Sequence, residues 1–415
     1  MHVLAQFMNK YLFQLGKNPL LSLAELQSVL PEDTQFLSLD KDQLLVETEL
    51  TDPQGLLDKL GGTIKIAEVY QTEVRAQELP DLISTKALEL FRDRQDKVRY
   101  ALTVQNLSGQ SNNIVKNVLL KTKKTLKAAD LSSRFINNNF QNPTTALLKG
   151  ENILGKGAEF IATETKSGWI IGRTVALQDI DSYSDRDYNR PERDPRLGML
   201  PPKLAQIMIN LAGRDLSQGV VYDPFCGLGT VLMEAGLMGY NSVGSDIAQE
   251  NTQKCYKNLE WAFLKYNLAS KFRVFNKDAV RVTRSDIHEP ISAVVSETFL
   301  GPPMSVNPPI NKIESVLSQV AYTMTEFLQN MSTLLPSGTP LVLTFLAYQD
   351  PHHSNSYLTL DSVLSNLDEL GFEQAEILPL ELTEDLGITG VDHQQIIYRR
   401  PDQVVARAIV KLVKI

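Results

Sequence analysis

Short apolar segments alternate with helical segments along the chain beyond Pro201. This alternation is typical of a doubly wound, mainly parallel sheet whose two faces are covered by helices. The expected strands are 220–222, 242–245, 272–275, 293–296, 341–345, 376–378 and 395–398. The pattern predicts an α/β fold class, with one Rossmann-like domain over residues 200–415.

The first part of the chain follows a less regular order of strands and helices. Residues 10–15, 43–47 and 63–70 have strand character, and 53–60 form a short expected helix. Ser22, with Glu25 three residues later, has the pattern of a capping box and is expected to begin another helix. This order predicts a ferredoxin-like domain over residues 1–75.

A second α+β region follows over residues 76–174. It is expected to contain a helix near 82–91, a strand at 98–104, a basic helix at 114–127 and a strand at 169–174. Residues 183–195 are rich in charge and proline and lack apolar periodicity, which predicts a linker over 175–199.

Charge and composition narrow the function classes. The chain has a net charge of -8, but the segment from Lys86 to Arg134 has eleven Lys or Arg against four Asp or Glu. That local excess is the pattern of a phosphate-binding surface, and the alternative is an ordinary solvated helix face. No segment has the roughly 20 apolar residues of a membrane span, and the N-terminus lacks a signal-peptide pattern, so a cytoplasmic protein is expected.

Cys226 and Cys255 are the only cysteines, too few for a disulfide framework or a four-cysteine zinc site. We expect both to be packing residues. His352 and His353 are adjacent, without the further partners that a metal site needs, and predict a polar loop. No metal site is expected.

The most specific motif is the segment 223–230, DPFCGLGT, between an expected strand and an expected helix. Glycines in such a turn allow the backbone to approach a ligand where a Cβ would clash. Asp246 ends the next strand, and Asp278-Ala279 follows the third. Carboxylates at successive strand ends predict ribose and adenine contacts. The turn lacks the third glycine of a dinucleotide site, and Asp223 disfavours phosphate, so a sulfonium cofactor with an amino group fits better.

This motif resembles the S-adenosylmethionine loop of the THUMP-domain tRNA guanine-N2 methyltransferases, with Leu228 where the family has Thr. Other similar segments are 11–13, 21–26, 61–68, 190–191, 200–205 and 398–401, so the resemblance spans nearly the whole chain. It implies a ferredoxin-like domain, a THUMP domain that binds the tRNA acceptor end, and a Rossmann-fold methyltransferase.

The resemblance also implies roles for individual residues. The residues implied for S-adenosylmethionine are Asp223, Phe225, Gly227, Gly229, Thr230, Asp246, Ile247, Asp278 and Ala279. The expected RNA-binding residues are Lys116, Lys121, Lys123, Lys124, Lys127, Arg186 and Arg190. For the two arginines, salt bridges within the linker are the alternative.

The chain departs from the family at the catalytic motif Asp-Pro-Pro-Tyr, which is replaced by Glu297-Thr298-Phe299-Leu300. A guanine amine is a poor nucleophile, so the site must accept its protons and fix its orientation. Glu297 is predicted as that acceptor and Phe299 as a ring that stacks on the base, while Thr298 replaces a stiffening proline. Gly301-Pro302-Pro303 is expected to rebuild a rigid turn. A retired site and a helix-capping carboxylate are the alternatives for Glu297.

The predicted function is tRNA methylation to N2-methylguanosine, with position 10 favoured by the resemblance. Two alternatives stay open: a methyltransferase for another exocyclic amine in DNA or RNA, and a tRNA-binding protein without turnover. A nicotinamide-dependent dehydrogenase fits less well because the full glycine fingerprint is missing. The sequence leaves open a small activating partner subunit, the oligomeric state, and the choice between mono- and dimethylation.

Overall fold

The structure is a computed structural model that describes residues 8–107, 112–194, 199–302, 304, 308–353, 356–400 and 403–415. Pro303 of the expected turn, Pro401 of the family-like ending, residues 195–198 of the expected linker and the first seven residues lie outside this set. The chain divides into two compact units. The first unit comprises residues 1–19, 30–58 and 63–180, and the second comprises 20–29, 59–62 and 181–415.

The strands of the first unit form one mixed sheet in the order β2-β3-β1-β4-β8-β7-β5-β6. They are β1 (Asn9–Leu15), β2 (Gln35–Asp40), β3 (Gln43–Thr48), β4 (Thr63–Val74), β5 (Val98–Gln105), β6 (Ser133–Phe135), β7 (Gly157–Thr165) and β8 (Gly168–Leu177). The helices of residues 8–194 are α1 (Pro19–Val29), α2 (Pro53–Leu57), α3 (Leu79–Phe91), α4 (Asn112–Ala128), α5 (Thr145–Gly150), α6 (Ile153–Lys156) and α7 (Ile180–Ser184). Residues expected in two domains, 1–75 and 76–174, thus contribute strands to a single sheet.

A buried ion pair lies in the middle of this sheet. Lys65 on β4 donates to Glu159 on β7 at 2.6 Å. Thr103 on β5 and Thr174 on β8 donate to the same carboxylate, each at 2.5 Å. Both oxygens of Glu159 therefore accept hydrogen bonds inside the sheet, as a buried charge requires.

The second unit contains the Rossmann-like sheet, in the order β11-β10-β9-β12-β13-β17-β15. Its strands are β9 (Val220–Asp223), β10 (Asn241–Asp246), β11 (Phe272–Asn276), β12 (Ile291–Glu297), β13 (Pro340–Gln349), β14 (Tyr357–Leu358), β15 (Phe372–Ala375), β16 (Gln395–Tyr398) and β17 (Val405–Lys414). Its further helices are α8 (Pro202–Ala212), α9 (Thr230–Leu237), α10 (Gln249–Lys265), α11 (Ile310–Leu334), α12 (Asp361–Leu364) and α13 (Leu380–Asp385). The α/β fold class is confirmed.

Strands β9 to β13 are parallel to one another, whereas β17 is antiparallel to both β13 and β15. Strand β17 was missed, and the strand expected at 376–378 is wrong, because β15 ends at Ala375. The parallel strands place the carboxyl ends of β9, β10 and β12 at one edge of the sheet.

Two local expectations are also wrong. Helix α1 begins at Pro19, so Ser22 and Glu25 lie inside it and do not cap it. The Glu25 carboxylate instead accepts from the backbone N–H groups of Gly61 and Gly62, each at 2.8 Å, and from Asn210 at 2.7 Å. Burial raises the pKa of Glu25 to about 7.

The segment expected to be a linker is helical over much of its length. Helix α7 continues into a π-helical turn over Asp185–Asn189. Asp185 pairs with Lys265 and Arg186 with Glu234, both within the second unit, so a high density of charge does not here mean an exposed tether.

Candidate active site

A cavity of about 390 Å³ opens at the carboxyl edge of the Rossmann-like sheet. It is lined by Met199, Leu200, Asp223, Phe225, Cys226, Gly227, Leu228, Thr230, Val231, Asp246, Ile247, Ala248, Asn251, Glu297, Thr298, Phe299, Leu300, Gly301 and Pro302. The predicted cofactor loop and the predicted catalytic segment therefore line one cavity. Asp223, Asp246 and Glu297 are the last residues of β9, β10 and β12, which explains why their carboxylates meet there.

Asp223 is almost fully buried at the base of this cavity. Its Oδ1 accepts from the Ser296 hydroxyl at 2.6 Å and from the Phe225 backbone N–H at 3.1 Å. Within the described residues its Oδ2 accepts no hydrogen bond. The pKa of Asp223 is raised to about 7, mainly by burial, with smaller contributions from the charges of Asp246 and Glu297 that the hydrogen bonds from Ser296 and Phe225 oppose. A ligand ammonium group would compensate this buried carboxylate.

The loop between β9 and α9 is held to the next strand by Asp246. The Gly227 backbone N–H donates to Asp246 Oδ2 at 3.0 Å, and Ala248 N–H and Asn251 Nδ2 donate to Oδ1 at 2.9 and 3.1 Å. Ile247, the next residue, is 71% exposed and lines the cavity. An acidic residue beside an exposed apolar side chain suits a ribose attached to a flat aromatic ring.

Gly229 has a structural role in the cofactor loop. Its φ is +86°, and a Cβ at this position would lie 2.6 Å from the Cys255 sulfur on α10. Glycine is needed here for the left-handed turn and for the close approach of α10. Gly229 is not among the residues that line the cavity, and its contact with the cofactor stays a prediction.

Asp278 and Ala279 follow β11 but do not line the cavity formed by the described residues. The Asp278 carboxylate accepts from the Val280 backbone N–H at 3.2 Å, which caps a 3₁₀ turn. Ala279 is 3% exposed and belongs to the core. Their contact with an adenine stays a prediction.

Glu297 lines the cavity and forms an ion pair that sequence reasoning missed. Arg407 Nε on β17 donates to Glu297 Oε1 at 2.5 Å. Burial raises the pKa of Glu297, and the charge and hydrogen bond of Arg407 counteract that effect. Arg407 was not identified from sequence because β17, the strand that presents it, was itself not predicted.

The two residues after Glu297 have separate environments. Thr298 is buried, and its hydroxyl donates to the Thr344 carbonyl oxygen at 2.6 Å, which ties the end of β12 to β13. Phe299 is 40% exposed and lines the cavity, so its ring is accessible to a ligand. This arrangement supplies an acceptor and an aromatic surface, while the Thr298 side chain is committed to the backbone.

The expectation that Arg186 and Arg190 contact RNA is contradicted by their burial. Arg186 is 4% exposed and pairs with Glu234 on α9 at 2.7 Å. Arg190 is 3% exposed and donates to the Thr230 hydroxyl at 2.9 Å. Both guanidinium groups brace the helix that follows the cofactor loop, and neither is accessible to a phosphate.

The basic helix α4 lies in the first unit, and it buries an apolar face that includes Val115, Leu119 and Leu126. Lys116, Lys121, Lys123, Lys124 and Lys127 are all exposed. Lys121 pairs with Asp81, whereas Lys116 and Lys123 lie over the rings of Phe140 and Phe135. The helix thus presents a row of cations to solvent.

The described residues contain neither a metal-binding cluster nor a helix that could span a membrane. No group of His, Cys, Asp and Glu with the arrangement of a metal site occurs there. His353 pairs with Asp350 in an exposed loop. No helix among these residues is both long and apolar enough to cross a membrane.

Residues 190–290 match the family model described as "UPF0020: RMKL-like, methyltransferase domain". This part of the chain is similar to a methyltransferase domain. The matched residues include the loop from Asp223 to Thr230, Asp246 and Asp278. A methyltransferase domain agrees with the predicted S-adenosylmethionine cofactor.

Two relatives extend the similarity. The chain is 35% identical over 134 residues to the tRNA (guanine(10)-N2)-dimethyltransferase of Methanothermobacter thermautotrophicus, covering 32% of this chain and 37% of that protein. It is 34% identical over 160 residues to the protein of the same name from Methanocaldococcus jannaschii, covering 36% of this chain and 44% of that protein. The matches span less than half the length of these relatives. The expected resemblance to tRNA guanine-N2 methyltransferases is confirmed over the matched part of the chain.

The fold resembles that of a solved structure, TrmN from Thermus thermophilus. The TM-score is 0.54 at 15% identity, over 98% of this chain and 100% of that one. At this identity the likeness concerns the fold alone, and it extends beyond the methyltransferase domain to nearly the whole chain.

Proposed function

We propose that this protein forms N2-methylguanosine in tRNA, with S-adenosylmethionine as the methyl donor and guanosine 10 as the target. The observation that carries the proposal is that Glu297 and Phe299 line the same cavity as Asp223 and Asp246. The names of the two archaeal relatives support the choice of base and position. A tRNA substrate also favours a cytoplasmic location.

The cavity residues fit this cofactor. The volume of about 390 Å³ lies within the roughly 300–1,000 Å³ of small-molecule sites. Asp223 Oδ2 is available to the cofactor's amino group, Asp246 to its ribose hydroxyls, and Ile247 to its adenine ring. When bound, S-adenosylmethionine supplies an activated methyl group on a sulfonium centre.

Glu297 and Phe299 then act on the base. The lone pair of a guanine amine is delocalised into the ring, so it becomes nucleophilic only where its N–H groups are accepted and oriented. The Glu297 carboxylate accepts from the amine and takes up the proton that nitrogen loses on methylation. The Phe299 ring stacks on a base that has been turned out of its helix.

We assign tRNA binding to the first unit, with a ferredoxin-like domain over 1–75 and a THUMP domain over 76–174. The exposed lysines of α4 support this assignment, because clustered cations provide sequence-independent affinity for phosphates. Arg94, Lys97 and Lys156, which line a cavity of about 250 Å³ in the same unit, add to the positive charge.

The test is transfer of a labelled methyl group from S-adenosylmethionine to unmodified total tRNA, followed by nuclease digestion and mass identification of the product. Wild type is compared with Glu297→Ala. We expect N2-methylguanosine in the wild type and its loss in the variant. Binding of cofactor and tRNA by wild type without methyl transfer would instead indicate a tRNA-binding protein that has lost turnover.

A further inference from the structure

The carboxylate of Glu297 is held by an arginine that lies 110 residues later in the sequence. Arg407 is 2% exposed, and its Nε donates to Glu297 Oε1 at 2.5 Å. The Glu297 side chain retains 20% exposure. Within the described residues its Oε2 accepts no hydrogen bond. One oxygen is therefore fixed and the other is available to a ligand in the cavity.

The position of Arg407 is set by the sheet. Strand β17 pairs antiparallel with β13, where Arg407 lies opposite Leu346, and β13 pairs with β12, which ends at Glu297. Arg407 Nη1 also donates to Gln403 Oε1 at 2.9 Å. The contacts with Glu297 and Gln403 thus orient the guanidinium from two sides.

The charges near Glu297 explain why this contact matters. Burial favours a neutral carboxylic acid, whose proton would block acceptance of an amine N–H. The charge of Glu297 in turn raises the pKa of Asp223, another buried carboxylate of the same cavity. Arg407 and Arg400 are the positive charges that act on Glu297, and only Arg407 donates a hydrogen bond to it among the described residues.

We propose that Arg407 is a positioning residue that stabilises the ionised form of Glu297 and leaves Oε2 as the acceptor for the substrate amine. This inference rests on the proposed function for its catalytic consequence, whereas its effect on Glu297 is independent of any substrate. It also accounts for the altered motif: a longer Glu takes the place of the family's Asp and is fixed by an ion pair from β17. If the Arg407–Glu297 ion pair served only to strengthen the sheet, its loss would affect folding, and control of the pKa of Glu297 would not be its function.

The first readout is the titration of Glu297 itself. The full-length protein labelled with ¹³C at glutamate side-chain carboxyls is titrated by NMR, with Glu297→Gln used to assign the resonance. We expect Arg407→Gln to raise the pKa of Glu297 and Arg407→Lys, which keeps the charge, to restore it in large part. Arg273→Gln is the matched control, because Arg273 pairs with the half-exposed Glu289 outside the cavity. An unchanged Glu297 pKa in folded Arg407→Gln overturns the proposal.

The second readout is the pH dependence of methyl transfer. In Arg407→Gln the acidic limb of kcat moves to higher pH, with a loss on the order of tenfold to a hundredfold at neutral pH that is partly recovered in alkali. Arg407→Lys keeps the wild-type limb. A uniform loss at all pH values contradicts the proposal even if the protein is folded. No transfer by wild type would refute the proposed function, while the NMR titration still decides the role of Arg407.

Discussion

Each unit of this protein contains a buried ion pair between a strand carboxylate and a strand cation, but their surroundings differ. In the first unit, Lys65 and two threonine hydroxyls occupy both oxygens of Glu159, which has no exposed surface. In the second unit, Arg407 occupies one oxygen of Glu297, which faces a cavity. Burial and ion pairing alone therefore do not indicate a chemical role for a carboxylate. A carboxylate oxygen that accepts no hydrogen bond and lies beside a cavity does indicate such a role.

The largest effect should come from removing the accepting oxygen of Glu297, whose pair with Arg407 leaves one oxygen facing the cavity. Glu297→Gln is expected to lower kcat by roughly 10²–10⁴, because the amide cannot take up the proton of the amine. The affinity for S-adenosylhomocysteine should be unchanged or slightly higher, since the charge of Glu297 raises the pKa of Asp223. Single-turnover methyl transfer and calorimetry measure the two quantities. Comparable losses of both would place Glu297 in cofactor binding.

Breaking the Lys65–Glu159 pair, in which both carboxylate oxygens are occupied, should instead lower the stability of the fold. Glu159→Ala leaves Lys65 buried without its partner, so the free energy of unfolding should fall by about 3–5 kcal/mol. Denaturant unfolding followed by a probe in the first unit measures this loss. The matched change Glu68→Ala removes a carboxylate whose pair with Arg173 is part-exposed, and its effect should be small. Equal losses in both variants would contradict the larger contribution to stability expected of the buried pair.

A third prediction concerns the pH dependence of cofactor binding. Because the pKa of Asp223 is raised to about 7, this carboxyl is largely protonated at pH 6 and ionised at pH 8. The amino group of S-adenosylhomocysteine binds the ionised form, so affinity should rise about tenfold between these pH values. Calorimetric titration measures it. Asp223→Asn should abolish the dependence as well as weaken binding, and a dependence that persists in Asp223→Asn must arise from another group.

The smallest effects are expected in the first unit. Alanine at Lys123, Lys124 or Lys127 should weaken tRNA binding only a few-fold, and each should reduce the slope of affinity against salt by about one. The control is Lys271→Ala in the second unit, at an exposed position outside the cavity lining. Filter binding at several salt concentrations makes the comparison. If the α4 variants left the slope of affinity against salt unaltered, the RNA-binding surface would have to lie elsewhere.

The residues that line the cavity were easier to predict from the sequence than the side chains that hold them in position. Asp223, Asp246 and Glu297 end parallel strands, and the apolar pattern locates each strand, so their meeting follows from local sequence and the topology of such sheets. Arg407 lies 110 residues from Glu297. Its strand is inserted antiparallel between β13 and β15, an arrangement that local periodicity does not specify.

The same limit explains the errors in the linker and in α1. Charge density at 183–195 predicted exposure, yet Arg186 finds the buried Glu234, a partner 48 residues away. Glu25 has the spacing of a capping residue, but its donors come from Gly61, Gly62 and Asn210. In each case a distant partner changed the role of a charge that the local pattern could assign only to the surface or to its own helix.

Methylation of the exocyclic amine of guanosine 10 is tested most directly with two transcripts of one tRNA, which carry guanosine or inosine at position 10. Inosine lacks the exocyclic amine that Glu297 is proposed to orient. With S-adenosylmethionine and wild-type protein, we predict N2-methylguanosine at position 10 of the guanosine transcript and no methylation of the inosine transcript. Equal methylation of both, or methylation of neither by protein that binds both cofactor and tRNA, would contradict it.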